Sequence, residues 1–420
     1  MDECLVERKQ QVMALNQSVS KRKIWTLIAS VAALSLVVTF IVLWWIFKDA
    51  PKTEPFASSK VELEIGEVPN DLRIGLVVSQ TENYAEGGQW LANAHGVSVA
   101  AWRLEQAGVH VETIAVSDQG SSEGAQQAVE ELKKQNVSGI IAVTSGPHTQ
   151  VLVEAAQKAN IPIILPYASG TSDAKKGTWY GQPLQADIDS ILLSHAQKLH
   201  CSTMATTRKI EGINNVEVSI KESGELSANL AENLANNSSM CVFLDMRTPQ
   251  MANVVYAIKA IRSDIPVFLD ASANSWDITK ELMRDNGVPT QVFTYGTSSF
   301  RARVSSPETS ESIRGFNESI EQMKKINVAS IVDDTKKFRD FAEGVDTRGY
   351  DAFIALVGAS VHQHSSNPRE VMNGLAEINS QDLPLLSRYD NDAGQSSSYV
   401  SGNLLELSSV QSHPVWISLD

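Results

Sequence analysis

From Leu72 onward, short apolar runs alternate with amphipathic stretches. IGLVV (74–78) is an apolar run of strand length. After it, Trp90, Leu91, Ala94, Val97, Ala101 and Leu104 recur at helical spacing and predict one long helix. The series continues with a strand at 109–116, a helix at 123–135, a strand at 139–145, a helix at 149–159 and a strand at 161–167. It restarts after Asp187 with a helix at 188–199, strands at 201–207 and 215–220, a helix at 224–236 and a strand at 240–245. A helix at 249–262, a strand at 265–271 and a strand-like run at 291–300 complete this second unit. Helices follow at 310–325, 350–362 and 368–378, and 397–417 alternates like antiparallel strands joined by a turn. Strand–helix–strand alternation with short connections makes parallel strands with helices on both faces. The expected fold class is therefore α/β, with two doubly wound parallel-sheet units. Such sheets hold their ligands at the carboxyl ends of the strands.

One earlier segment breaks the pattern. Ile24 to Phe47 carries no charge and, at ~1.5 Å per residue, spans roughly 36 Å, enough for a ~30 Å hydrocarbon core. Trp25 lies near one end, Trp44 and Trp45 near the other, and Lys21, Arg22 and Lys23 precede it. The positive-inside rule leaves residues 1–23 as a cytoplasmic tail, 24–47 as a single transmembrane helix and the remainder outside the cell membrane. The apolar run is long for a signal peptide, and neither an A-x-A site nor a lipid-anchoring cysteine follows it. Residues 48–70, with three prolines, read as a linker, with a short strand conceivable at 61–65.

Composition removes several functions. The formal net charge is −14, which argues against general nucleic-acid binding. There is no zinc-type Cys/His spacing and no G-x-G-x-x-G, so neither a metal nor a dinucleotide cofactor is expected. Of the three cysteines, Cys4 belongs to the tail. Cys201 and Cys241 open the first and third strands of the second unit, which doubly wound sheets usually place side by side. Neighbouring strands are ~4.8 Å apart, near the reach of a disulfide, and the outer compartment permits oxidation. A Cys201–Cys241 bridge is the expectation; the alternative is two small core residues.

The order of elements and several strings resemble a known family. These are IGLVVSQTENYAEGG (74–88), VSDQGSSEGAQQAVEELKKQNVSGIIAV (116–143), SGPHT (145–149), PYASGTS (166–172), GYDAFIALVGAS (349–360) and NPREVMNGLAEI (367–378). In series, from about Leu72 to the end, they resemble a type I periplasmic binding protein of the branched-chain amino acid and amide group. The resemblance implies two lobes joined by a hinge, one of residues 71–184 plus 300–380 and another of 185–299 plus 381–420. It also implies a ligand held in the cleft between them.

The strand ends suit that role chemically. Ser145, Thr149, Ser169 and Thr171 supply hydroxyls, and Gly146 and Gly170 allow close backbone approach. A helix starting near residue 148 offers N–H groups to an anion. Small polar residues of this kind also simply close βα turns. The resemblance implies carboxylate binding by Ser145 and Ser169, with Ala168 and Thr171 beside them. Tyr84 lies in the loop that reaches the same edge, and Asp118 ends the second strand. In the second lobe the family pattern is altered. RKIEGINN is too short to hold the expected crossover helix. The acid that would bind a ligand ammonium falls near Ser272, with Asp270 two residues earlier and on the same side of a strand. Arg247 stands at a cleft-facing turn and suits an acidic group, or an ordinary salt bridge.

Three functions follow. The first is a membrane-tethered solute-binding protein that passes a small polar organic ligand (amino acid, amide or carboxylate) to ABC permease subunits. The second is a sensor or cell-envelope interaction module on a degenerate version of the fold. The third is a hydrolase using Ser145 and His148; no G-x-S-x-G elbow supports it, and no enzyme is expected.

Overall fold

The structure is a computed structural model. It describes residues 60–420 apart from 83, 171–175, 219, 221–224, 249, 285–286, 298–310, 379–381, 387–388, 391–398, 401, 411 and 420. The expected tail (1–23), transmembrane helix (24–47), most of the linker and Thr171 lie outside the described residues. No helix among the described residues is long and apolar enough to cross a membrane.

Two sheets organise the chain. The first contains β1 (Arg73–Val78), β2 (Glu112–Ser117), β3 (Gly139–Val143), β4 (Ile163–Ser169) and β5 (Thr178–Gln182). Their order is β2-β1-β3-β4-β5 and every pairing is parallel. Side-chain alternation divides these strands between two cores. Ile74, Leu76, Val78, Ile141 and Val143 point into one core, which also contains residues of α1 (His95–Gln106), α8 (Glu311–Lys325), α9 (Thr347–Gln363) and α10 (Pro368–Glu377). Val77, Ile140 and Ala142 point into the other, beneath α2 (Ser122–Lys134) and α3 (Thr149–Ala159). Gly75 leaves room for α2: a Cβ there would stand 2.7 Å from Leu132 Cδ1.

The second sheet follows α4 (Gln185–Lys198). It holds β6 (Thr203–Thr206), β7 (Asn214–Glu217), β8 (Met240–Leu244), β9 (Val267–Leu269) and β10 (Val292–Gly296). β13 (Asn403–Val410) and β14 (His413–Ser418) extend it as an antiparallel edge, after the two-residue strands β11 (Tyr389–Asp390) and β12 (Tyr399–Val400). Its order, β7-β6-β8-β9-β10-β13-β14, repeats in the parallel part the winding of the first sheet. Helices α5 (Ala228–Asn236) and α6 (Met251–Ile261) cover one face; the one-turn helix α7 (Trp276–Thr279) follows β9. The structure pairs Cys201 with Cys241 as a disulfide with Cα atoms 5.7 Å apart, beside the β6–β8 pairing.

The sequence expectations differ from the structure in several places. Residues 61–65 are not a strand: Leu63 is buried and its N–H bonds the Arg103 carbonyl at the end of α1. The helix drawn from Trp90 starts at His95, because Gly88–Trp90 forms a separate 3₁₀ turn that stacks Trp90 on Tyr167, ring centres 4.5 Å apart. The 109–116 strand begins only at Glu112. Strand β5 was not anticipated. No helix separates β6 from β7; residues 207–213 return as a loop, pinned by the Asn215 side chain to both main-chain groups of Ile210.

Candidate functional site

In both sheets the winding reverses beside the first strand, between β1 and β3 and between β6 and β8. Chains leave in opposite directions there and open a crevice at the carboxyl ends. Here the two crevices contribute to a single cavity of about 280 Å³. From the first sheet come Ser145 and Thr149 after β3, Ala168 and Ser169 at the end of β4, and Gln182 at the end of β5. From the second come Arg247 after β8, and Asp270 and Ser272 after β9. Six of the residues singled out in the sequence, Ser145, Thr149, Ala168, Ser169, Arg247 and Asp270, therefore line one space.

Ser145 is held at the floor. Trp90 Nε1 and Gln89 Nε2 donate to its Oγ at 3.0 and 3.1 Å. A hydroxyl has two acceptor lone pairs and one proton, so both acceptor positions are filled and the Ser145 proton is left to donate. Thr149 Oγ1 instead donates to the Gly146 carbonyl at 2.7 Å. The first-turn N–H groups of α3 at 149, 150 and 151 bond the carbonyls of 146, 147 and 148. The helix start is thus tightened on itself, and it offers fewer free donors than its sequence suggested.

Behind this wall lies a polar cluster. Asp346 receives Asn93 Nδ2 at 3.0 Å, the Tyr167 hydroxyl at 2.7 Å, and Arg348 Nε and Nη2 at 3.0 and 2.7 Å. Arg348 is buried, with its guanidinium 4.4 Å from the Tyr167 ring centre and 4.9 Å from that of Trp90. The aromatic floor therefore stands on a paired cation. The same Asn93 accepts, on Oδ1, the main-chain N–H of Trp276 at 3.3 Å, joining the cluster to the second sheet's half.

The mouth is bridged. Arg247 Nη1 bonds Glu86 Oε1 at 3.2 Å, and the Tyr84 hydroxyl sits between the Arg247 carbonyl oxygen and Gln89 Oε1. Tyr84 is about half exposed and is not among the cavity-lining residues; partial desolvation, followed by the nearby Glu86 charge, pushes its phenol pKa up. Burial works against the Arg247 charge, but Asp270, Asp245 and Glu86 together hold its pKa above the ordinary value. Asp270 Oδ1 caps the turn after β9 through the Ser272 N–H at 2.9 Å. Burial, followed by the nearby Asp270 charge, raises the Asp245 pKa. Arg208 lies over Phe243 and binds Asp189 through Nη1 and Nη2 at 2.7 and 2.5 Å, and Asp245 at 2.9 Å.

His148 does not meet Ser145. Its Nε2 lies 2.9 Å from Thr144 Oγ1 and 3.1 Å from Asp118 Oδ2, and Ser79 closes this buried ring by donating to Asp118 at 2.7 Å. Asp118 is fully buried within it. A nucleophilic triad needs the base on the nucleophile's hydroxyl, an arrangement these bonds do not make. No group of three or more His, Cys, Asp or Glu residues able to hold a metal occurs among the described residues.

Sequence reasoning missed Gln182, Tyr167, Trp90 and Ser272 as parts of the wall. Trp90 and Tyr167 carried only a core signal, and Gln182 sits on the unanticipated β5. Ser272 was noted only as the place where an acid was lacking.

Residues 71–200 match a family described as periplasmic binding protein. No curated protein sequence matches. Among solved structures, the branched-chain amino acid transporter substrate binding protein LivJ of Streptococcus pneumoniae, in complex with isoleucine, is 12% identical, with a TM-score of 0.63 over 82% of this chain and 99% of that one. The leucine binding protein LivK of Thermotoga maritima is also 12% identical, with a TM-score of 0.60 over 83% and 98%. A solute binding protein of R. palustris in complex with 4-hydroxybenzoate gives 12% identity and a TM-score of 0.58 over 83% and 96%. Two sheets of like winding that meet at their carboxyl ends, together with the match over 71–200, give this chain the type I periplasmic binding protein fold, of the kind seen in the leucine- and isoleucine-binding proteins.

Proposed function

We propose that the protein is an extracytoplasmic solute-binding protein, tethered by the 24–47 segment, that captures a small polar organic molecule for an ABC-type permease. The two lobes are residues 71–184 plus 300–380 and residues 185–299 plus 381–420. One observation carries the reading. The ends of β3, β4 and β5 and the turns after β8 and β9 converge on one cavity, and its walls offer hydroxyls, an amide, an arginine and a carboxylate. Solved proteins of the same fold hold isoleucine or 4-hydroxybenzoate. Ser145 and Ser169 take the ligand's oxygen end; Asp270 and Arg247 face its other end. Isothermal titration of the full chain in detergent against amino acids, amides and small carboxylates tests this. Micromolar or tighter binding of one class supports it, and no heat from any of them removes it. Recovery of the protein from membranes after an alkaline wash tests the tether.

The loop in place of a helix between β6 and β7 favours a second reading. It removes a cleft wall that such a helix would supply and suits a sensor or envelope-assembly module that keeps the fold with weakened binding. Crosslinking in membranes separates the two: permease subunits support transport, envelope proteins the alternative.

A further inference from the structure

Two polar side-chain atoms on residues of the cavity wall lack any partner. Gln182 is 4% exposed, and its Nε2 makes no hydrogen bond. Ser272, on the opposite wall, is also 4% exposed, and its Oγ makes none. Burying an amide or hydroxyl without a partner forfeits its bonds to water with no return, so native proteins seldom leave one so. Gln185 lines the same cavity but already donates to Asp189 Oδ1 at 2.9 Å, so the unpaired state belongs to particular residues, not to the wall at large.

The position of Gln182 adds weight. It ends β5, the last strand of the first sheet, and only Pro183 and Leu184 separate it from α4, whose Ile188, Leu192 and Ala196 pack with the second sheet. Ser169 Oγ, at the end of β4, lies 3.5 Å from Gln182 Oε1, so the amide oxygen and not the nitrogen has the neighbour on that strand. A contact made here is made where the chain crosses between the two sheets.

We infer that Gln182 determines ligand specificity: its amide nitrogen donates to an oxygen acceptor on the ligand, and Ser272 meets a polar group on the ligand's far side. This rests on the solute-binding reading and narrows it. The preferred molecule carries a hydroxyl or carbonyl oxygen beyond the one Ser145 takes, and a purely aliphatic isostere leaves Gln182 unpaired. A site that must leave a buried donor empty rejects the isostere strongly.

The test has two arms, on the full chain in detergent, unfolded and refolded to strip any carried ligand. In the first, urea midpoints of Gln182→Met, Gln182→Leu and Ser272→Ala are compared with wild type. Removing an amide whose nitrogen has no internal partner and whose oxygen makes only the 3.5 Å contact with Ser169, or a hydroxyl that makes none, should leave the midpoint unchanged or raised. A fall of more than about 0.3 M in both Gln182 variants means that the amide is a structural bond and overturns the inference. In the second, L-threonine is titrated against L-valine, and 4-hydroxybenzoate against benzoate. Wild type should prefer the oxygen-bearing member of a bound pair by about tenfold or more, and Gln182→Met should bring that ratio near one. Equal affinity within a bound pair in wild type, or a ratio unchanged in Gln182→Met, also overturns it. Wild type binding neither pair counts against the solute-binding reading, and the midpoints still decide for or against Gln182.

Discussion

Replacing both Cys201 and Cys241 with alanine should cost several kcal/mol, and the amount can be worked from the chain. The bridge joins residues 40 positions apart. The loop-closure relation, with a constant near −2.1 and a logarithmic term in loop length, gives about −13 cal/mol/K, or about 4 kcal/mol at 25 °C. The stretch it closes contains β6, β7 and α5, along with the helix-free 207–213 connection. β7 is the edge strand of the second sheet, paired on one side only with β6, so the crosslink restrains the segment that reaches that edge. Urea unfolding followed by far-UV circular dichroism measures the effect. With a slope of roughly 3 kcal/mol/M, the double variant should unfold more than about 1 M earlier than oxidised wild type. A reductant should lower the wild type to meet the variant and leave the variant unmoved. Midpoints that coincide without reductant, or alkylation of Cys201 and Cys241 along with Cys4 in the unfolded, unreduced wild type, would refute the reasoning.

Two other perturbations test the packing behind the cavity. Asp346→Ala leaves Arg348 buried without its counter-charge and should cost about 3–5 kcal/mol in urea unfolding, with Asp346→Asn losing less. His95 is fully buried against Phe341, ring centres 4.4 Å apart, and burial lowers its pKa to about 4. Its unfolded value lies near 6.5, so between those pH values the unfolded chain binds the extra proton and stability falls with acidification, by roughly 3 kcal/mol once pH passes below 4. Unfolding midpoints taken from pH 7 to pH 4 should show this slope, and His95→Gln should flatten it.

Much of the fold was legible because helix and strand periods alternate cleanly. β3 and β4 are continuous apolar runs, as strands buried on both faces must be, and α2 shows a full amphipathic face ending in Lys133 and Lys134. β5 escaped notice because TWYGQ has no apolar alternation; its place comes from pairing with β4, a long-range contact that leaves no local mark. The 3₁₀ turn at Gly88–Trp90 was hidden for a related reason: Trp90 keeps helical spacing in sequence while its ring is held by Tyr167 and Ser145. At the site, hydroxyls and glycines at strand ends announced Ser145 and Ser169. Nothing nearby announced Gln182, whose meaning depends on having no partner in three dimensions.

The order in which the chain visits its sheets has a practical consequence. It lays down β1 to β5, leaves for β6 to β10, comes back with α8 to α10, and departs again for β13 and β14. Phe316, Tyr350, Phe353 and Val371 from the returning helices share a core with Trp90, Leu76 and Ile141. A protease cut or a stop codon near residue 300 would therefore strip one half of its roof and the other of its last two strands. Neither half can be cloned out as one uninterrupted piece; the first is finished only after α10 and the second only after β14.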